Sequence, residues 1–363
     1  MLDNDVRAFR TGLGWSEDEL ARRSGLSRAG ISAIETGRLV PSTAAALALA
    51  AAMSCTVETL FRLPRGKPLE EAAGWAWPIH SVSCRYWRGE VAGRQHLYPV
   101  EVSPLGLLPH DGTFRDGAFH DHSRIDPSRT LILAGCDPAV GLLSAELASA
   151  AAMRLIVLPR SSRAALELMA QGLVHAAGVH LARSDESEGN TAALRQILNA
   201  EPGQHYRLLR LADWDEGIAL APGLNVGSIR AAVGAKLRWV GREPGSGAQQ
   251  CLDELFEQVK PRHPRPRLQP AHDHRGVADA IRAGWADAGI CLRLTSDEAN
   301  LSFLSVRQEA YELCFPDALA HDPRLVSLLE VVRSASFRRM LGELPGYDTT
   351  RTGELRRTRF GSR

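Results

Sequence analysis

The sequence predicts a multidomain chain in three parts: an all-α bundle, a small β module that acts as a linker, and a two-lobed α/β domain. Three observations predict it. Helical periodicity runs through residues 1–63, short alternating stretches fill residues 64–130, and from residue 131 to 348 strand-like apolar runs alternate with helical ones. A length of 363 residues agrees, being more than one typical domain and less than a large multidomain enzyme. With 44% hydrophobic and 23% charged residues the chain can bury ordinary cores, which excludes global disorder and fibrous architecture. The 43 basic and 42 acidic residues leave a net charge of +1. Binding to nucleic acid or to a membrane must therefore rest on local placement of charge.

In the first part, Val6, Phe9 and Leu13 fit one amphipathic face, and Ser16-Glu17-Asp18-Glu19 is a capping box that opens a second helix. Gly25 breaks the chain, Ser27 caps a short helix carrying Ile31 and Ile34, and Gly37 ends it. Thr43 to Met53 and Thr56 to Phe61 supply two more helices, so five short helices form a compact bundle with no evident strand. Within it, Ala21, Gly25 and Ile31 have the spacing of a helix-turn-helix: a small residue where helices cross, a glycine at the sharp turn, an apolar anchor on the second helix.

With Ile34-Glu35-Thr36-Gly37-Arg38 and Pro41-Ser42 following, this stretch resembles the Cro/repressor-like (XRE) DNA-binding family. The resemblance implies that the helix from Ser27 to Glu35 lies in the major groove. Ser27, Arg28 and Ser32 are then expected at bases or phosphates, and Arg23 and Arg38 at the backbone. Ala29 and Gly30 cannot hydrogen-bond base edges, so readout is expected through thymine methyls and DNA shape. Residues 1–63 hold seven basic and seven acidic side chains, which leaves phosphate attraction to Arg22, Arg23, Arg28 and Arg38. A single domain of this kind binds weakly. A homodimer on a two-fold operator is expected.

The second part opens on a hinge, Pro64-Arg65-Gly66-Lys67-Pro68, and continues in strands such as Ser83 to Trp87 and His96 to Val100, with Trp75, Trp77 and Trp87 packing the module. In the third part, strands are expected at Leu131–Ala134, Leu155–Leu158, Ala176–Val179, Leu208–Leu211, Leu237–Val240 and Ala288–Cys291. Strands alternating with helices mean βαβ units and a mostly parallel sheet. Three loops precede helices with small or hydroxyl residues: Gly135-Cys136-Asp137-Pro138, Pro159 to Arg163, and Pro244-Gly245-Ser246-Gly247. Convergent helix N-termini of this kind would hold an anion. The tail from 349 to 363 has five arginines and one glutamate and reads as a flexible basic extension.

These loops, with Gly178-Val179-His180-Leu181, Arg242-Glu243, Ala286-Asp287-Ala288-Gly289-Ile290, Tyr311-Glu312-Leu313 and Leu344 to Asp348, resemble the type 2 periplasmic-binding-protein-like domain of bacterial regulators, which is related to molybdate-binding proteins. The resemblance implies two lobes joined by crossover strands, expected at Tyr206–Leu211 and Phe303–Val306, that close on a small molecule. It implies ligand contacts from Asp137, Ser161, Ser162, His180, Arg242, Ser246, Gly247 and Tyr311. An oxyanion such as molybdate or tungstate needs only donors, which hydroxyls and amides supply; an Arg242 pointing inward favours a carboxylate or phosphate instead.

Other residues read as structural. Cys55, Cys84, Cys136, Cys251, Cys291 and Cys314 contain no C-x-x-C pair and read as buried thiols. His120-Asp121-His122 and His110-Asp111 read as a solvated surface, and His263, His272 and His274 as an exposed connection. No metal site, nucleophile elbow or cofactor motif stands out. With an acidic start and no long apolar run, the chain is expected in the cytoplasm, away from membranes. The expectation is a non-enzymatic, ligand-sensing transcriptional regulator. The alternatives are a protein of molybdenum or anion metabolism with an autoregulatory DNA-binding domain, and a ligand-free docking or dimerisation module.

Overall fold

The computed structural model describes residues 3–62, 73–79, 81–101, 107–182, 190–198, 204–261 and 269–358. The hinge at 64–68, His263 and the tail beyond 358 lie outside the described residues. The chain forms two compact units, divided between Ala72 and Ala73.

The first unit contains β1 (Asp3–Asn4), α1 (Val6–Gly12), α2 (Glu17–Ser24), α3 (Arg28–Glu35), α4 (Thr43–Ala52), α5 (Val57–Leu60) and β2 (Phe61–Arg62). All five expected helices are present. The antiparallel pairing of β1 with β2 was not expected, since strands of two residues are too short for alternation to be read. Ser16 and Ser27 cap their helices as the sequence implied, and Ser42 and Thr56 do the same, each accepting a bond from a first-turn amide. The Glu19 carboxylate, the other half of the expected capping box, binds Arg22 and Arg23 instead. Gly25 takes φ +72° at the turn, the left-handed region glycine enters without strain. Val6, Leu20, Ile31, Ile34, Leu49 and Leu60 fill the core. Arg10 pairs with Glu35 at 2.7 Å and fastens α1 to α3.

The second unit begins with β3 (Ala73–Trp75), β4 (Ser83–Val91), β5 (Arg94–Pro99), β6 (Gly112–Arg115) and β7 (Ala118–Asp121), a five-stranded sheet in the order β3-β5-β4-β6-β7. Trp75 lies against Tyr86, Phe114 and Phe119 within it. Then follow β8 (Thr130–Gly135), α6 (Val140–Ala151), β9 (Arg154–Pro159), α7 (Ser162–Ala170), β10 (Ala176–Val179), α8 (Asn190–Leu198), β11 (Tyr206–Leu220), α9 (Ile229–Gly234), β12 (Trp239–Arg242), α10 (Gly247–Val259), β13 (Gln269–Ala271), α11 (His274–Arg282), β14 (Ala288–Leu292), α12 (Arg293–Glu298), β15 (Ser302–Pro316), α13 (Pro323–Arg333), α14 (Ala335–Gly342), β16 (Tyr347–Asp348) and β17 (Leu355–Arg357).

The larger sheet runs β13-β12-β14-β11-β15-β10-β8-β9, with β16 and β17 added against β11. Parallel β8, β9 and β10 form one lobe and parallel β12, β13 and β14 the other. Antiparallel β11 and β15, fifteen residues each, pass side by side through both lobes. The expected crossovers at Tyr206–Leu211 and Phe303–Val306 are the opening segments of these two strands. Polar Asp213, Asp215, Glu216, Arg307 and Glu309 interrupt the apolar runs, which is why the sequence shows only part of each strand.

Three expectations need correction. The β module is not a detached linker: Trp87, Val91 and Tyr98 share a core with Ile132 and Ile156, and Arg154 on β9 grips the fully buried Asp111 through two 2.7 Å bonds. The tail is not flexible as far as Thr358. Strand β17 pairs with Arg207–Leu209, Thr352 and Thr358 are buried, and Arg356 holds Glu312 at 2.8 Å, so its arginines are structural. His274 is not exposed: it starts α11 and is buried, because Asp273 caps that helix and turns it into the cleft between the lobes.

Candidate functional site

In the first unit, Ser27 is committed to capping α3, accepting from Gly30 N at 3.1 Å, while on that helix Arg28 is exposed and Ser32 half-buried. The expected phosphate-binding arginines are largely paired. Glu19 binds Arg22 at 2.6 Å and Arg23 at 2.7 Å, and Arg28 lies 3.4 Å from Glu17 and 3.7 Å from Asp18. Arg23 also lies over the Trp15 ring. The Arg38 side chain bonds the Thr36 hydroxyl at 3.0 Å and stands exposed. The neutral charge count of this domain is thus realised as local pairs that phosphate contact must compete with.

In the second unit, the ends of β8, β10 and β12 and the starts of α7, α10 and α11 converge between the lobes. Asp137, Ser161, Ser162, His180, Arg242, Ser246, Gly247 and Tyr311 are all buried there, as their sequence grouping implied. Their expected roles are only partly open to a ligand. Ser162 Oγ accepts from His180 N at 3.1 Å, and Ser246 caps α10 and donates to Glu243 O at 2.9 Å, so both hydroxyls are engaged. Ser161 begins α7 with no capping bond from its side chain. Arg242 does not reach freely into the cleft: it bonds Glu243 and the carbonyls of Ala271 and His272, leaving only Nη1 without a partner.

Glycines set how closely the walls approach. A Cβ on Gly178 would stand 2.1 Å from the Tyr311 hydroxyl, and one on Gly247 only 2.3 Å from the His180 carbonyl oxygen. Tyr311 stacks on Trp214 with centroids 4.4 Å apart. Tyr347 donates to Asp137 Oδ1 at 2.7 Å; burial still pushes the Asp137 carboxyl above its usual range.

Sequence reasoning missed the centre of this arrangement. Cys136 Sγ lies 3.2 Å from His180 Nε2, and His180 Nδ1 lies 2.8 Å from Glu309 Oε2. Arg307 binds Glu309 at 2.5 Å and Glu254 at 2.7 Å, with Glu216 at 3.5 Å. Burial opposes the Glu309 charge, but His180 and Arg307 outweigh it and hold the carboxyl down at about 2. For Glu216, burial and the neighbouring Glu309 push it up to about 8, so it carries a proton near neutral pH. His274, centroid 5.7 Å from His180, is buried with no hydrogen-bond partner at either ring nitrogen among the described residues. Burial and the charges of Arg242 and His180 drive its pKa well below the ordinary value, so it stays neutral. The one sequence signal was the isolated polar residues within apolar strands. Outside the centre, a cavity of about 860 Å³ opens between Arg163, Leu181 and α8 on one side and Pro244 to Asp253 on the other. The His110 and His122 rings meet at 5.7 Å in the β module, and His120 is exposed on β7.

Among the described residues no helix is long and apolar enough to cross a membrane. A family described as PBP superfamily domain matches residues 144–333, and one described as Helix-turn-helix matches residues 6–60. The uncharacterized protein YvgK of Bacillus subtilis (strain 168) is 25% identical over 234 residues, 63% of this chain and 74% of that protein. The tungstate ABC transporter of Geobacter sulfurreducens matches at 12% identity and TM-score 0.45, over 59% of this chain and 98% of its own. The effector binding domain of QuiR in complex with shikimate matches at 10% and 0.41, over 56% and 94%. At these identities the likeness carries nothing about the ligand.

Proposed function

Since the chain belongs to the PBP superfamily domain family over just over half its length and carries a helix-turn-helix domain ahead of it, we propose that it is a cytoplasmic transcriptional regulator whose interlobe cleft senses a small ligand. The observation that carries this reading is the polar cluster between the lobes, built from half-buried Cys136 and buried His180 on one lobe and buried Arg242 and His274 on the other. A ligand held by both lobes favours the closed arrangement by its differential affinity for it. Closure then alters the DNA-binding units, which act as a homodimer, with Arg28 and Ser32 toward bases and Arg23 and Arg38 toward phosphates.

An oxyanion such as molybdate or tungstate would draw on the Ser161 hydroxyl and the amides at the starts of α7 and α10. Engagement of Ser162 and Ser246, and the ionised carboxylate of Glu309, weigh against it, because an ionised carboxylate repels an anion. A second reading is thiol chemistry: the contacts Cys136–His180–Glu309 follow the order nucleophile, base, orienting acid. Selection of bound sequences from a random DNA pool by the full chain tests the regulator. A recovered consensus with two-fold symmetry is expected, and a pool that stays random overturns it. Stoichiometric loss of the Cys136 thiol to iodoacetamide with turnover of a thioester would favour the enzyme.

A further inference from the structure

Resting on that regulator reading, we propose that the interlobe cleft binds a borderline-soft transition-metal ion such as Zn²⁺ through Cys136 Sγ, His180 Nε2 and a ring nitrogen of His274. One donor atom from each of these three side chains lies within 4.8 Å of the other two. Around a tetrahedral Zn²⁺, sulfur and nitrogen donors stand about 3.3–3.6 Å apart, so a small adjustment seats the ion, whereas no organic group fits between atoms this close. One thiolate and two imidazoles select zinc, cobalt, nickel or copper over magnesium and calcium, which take oxygen donors.

Two further features point to a metal. Among the described residues neither ring nitrogen of buried His274 has a hydrogen-bond partner, and a coordinate bond would satisfy the one that faces the cleft. His180 gives its other nitrogen to Glu309 at 2.8 Å, the carboxylate–histidine arrangement that fixes the tautomer of a metal-binding imidazole. Glu309 is in turn held by Arg307. On binding, one metal–sulfur and two metal–nitrogen bonds form, and the proton shared by Cys136 and His180 leaves to solvent. The fourth position remains for water or another ligand. Because Cys136 and His180 directly follow strands β8 and β10 of one lobe and His274 begins a helix of the other, the ion ties the lobes together.

The test is titration of the full chain, freed of metal by chelator, with Co²⁺ and with Zn²⁺. The expected result is one ion per chain, a thiolate-to-cobalt charge-transfer band, and displacement of Co²⁺ by Zn²⁺. Cys136→Ser and His274→Gln, checked for folding by circular dichroism, each abolish the cobalt spectrum. Glu309→Gln, a positioning change, weakens Zn²⁺ about 10- to 100-fold while keeping the charge-transfer band. No binding, or undiminished binding by both folded ligand variants, overturns the proposal. Selection of DNA by the metal-free chain separates the two failures. A consensus without metal binding removes the ion and leaves the regulator, while metal binding without any consensus removes the regulator and leaves the site.

Discussion

Gly247→Ala is expected to hold the lobes apart without harming either. Gly247 opens α10 in ordinary helical backbone, so alanine is conformationally acceptable there. Its Cβ would nevertheless stand 2.3 Å from the His180 carbonyl and 2.6 Å from His180 Nδ1, on the opposite lobe. The carbonyl is backbone and cannot swing away, so the lobes must separate by several tenths of an ångström. Overpacking of this kind costs about 1–3 kcal/mol, which lowers the closed population about 5- to 150-fold relative to open forms. Hydrogen exchange reads this directly. The Arg242 amide, bonded to Gln249, and the His180 amide, bonded to Ser162, face the closed cleft, so parting the lobes admits water to both and should lower their protection. Amides within β8 and β14 should keep theirs. Unchanged protection at His180 and Arg242, in a variant as heat-stable as the parent, would refute the close approach on which closure depends.

Other outcomes follow from individual contacts. Glu19→Gln frees Arg22 and Arg23, so DNA binding by fluorescence anisotropy should tighten at low salt, and the slope of log K against log salt should steepen by about 1–2. Arg154→Met strands the fully buried Asp111 and should cost about 3–5 kcal/mol in urea unfolding. Tyr347→Phe removes the donor to Asp137 and should cost about 1–3 kcal/mol in the same assay. His175 gives a pH dependence. Burial, then the charge of Arg324, lowers its pKa to about 4 in the fold, against about 6.5 unfolded. The unfolded chain therefore binds the proton more readily, so the stabilisation is full above pH 6.5 and is lost as pH falls to 4. Thermal melts should show a loss of about 3 kcal/mol over that window, absent in His175→Gln, which can still accept from Ile132 N.

The architecture was legible wherever local rules dictate it. Ser16, Ser27 and Gly25 announce the helix ends of the first unit, and the alternation after Thr130 announces the lobes, because caps and periodicity are properties of neighbouring residues. The site was legible only as loops. His180 and Gly247 stood out by family pattern, but Cys136, Glu216, Glu309 and His274 come from four separate segments and meet only through the antiparallel register of β11 with β15 and the capping of α11 by Asp273. His274 sits in a run of prolines, arginines and histidines that reads as solvent-exposed, and no local signal marks the turn that buries it. The tail misled for the same reason. Arg356 is structural because Glu312 lies across the strand, a partner 44 residues away.

The most direct test of the account is the affinity of the full chain for its selected operator, measured by anisotropy with and without saturating Zn²⁺, for the parent and for Gly247→Ala. The account predicts a shift of at least about fivefold in the parent, a coupling of about 1 kcal/mol, and a much smaller one in the variant. Equal operator affinity with and without the ion, in a parent shown to bind it, would contradict the claim that the cleft governs the DNA-binding domain.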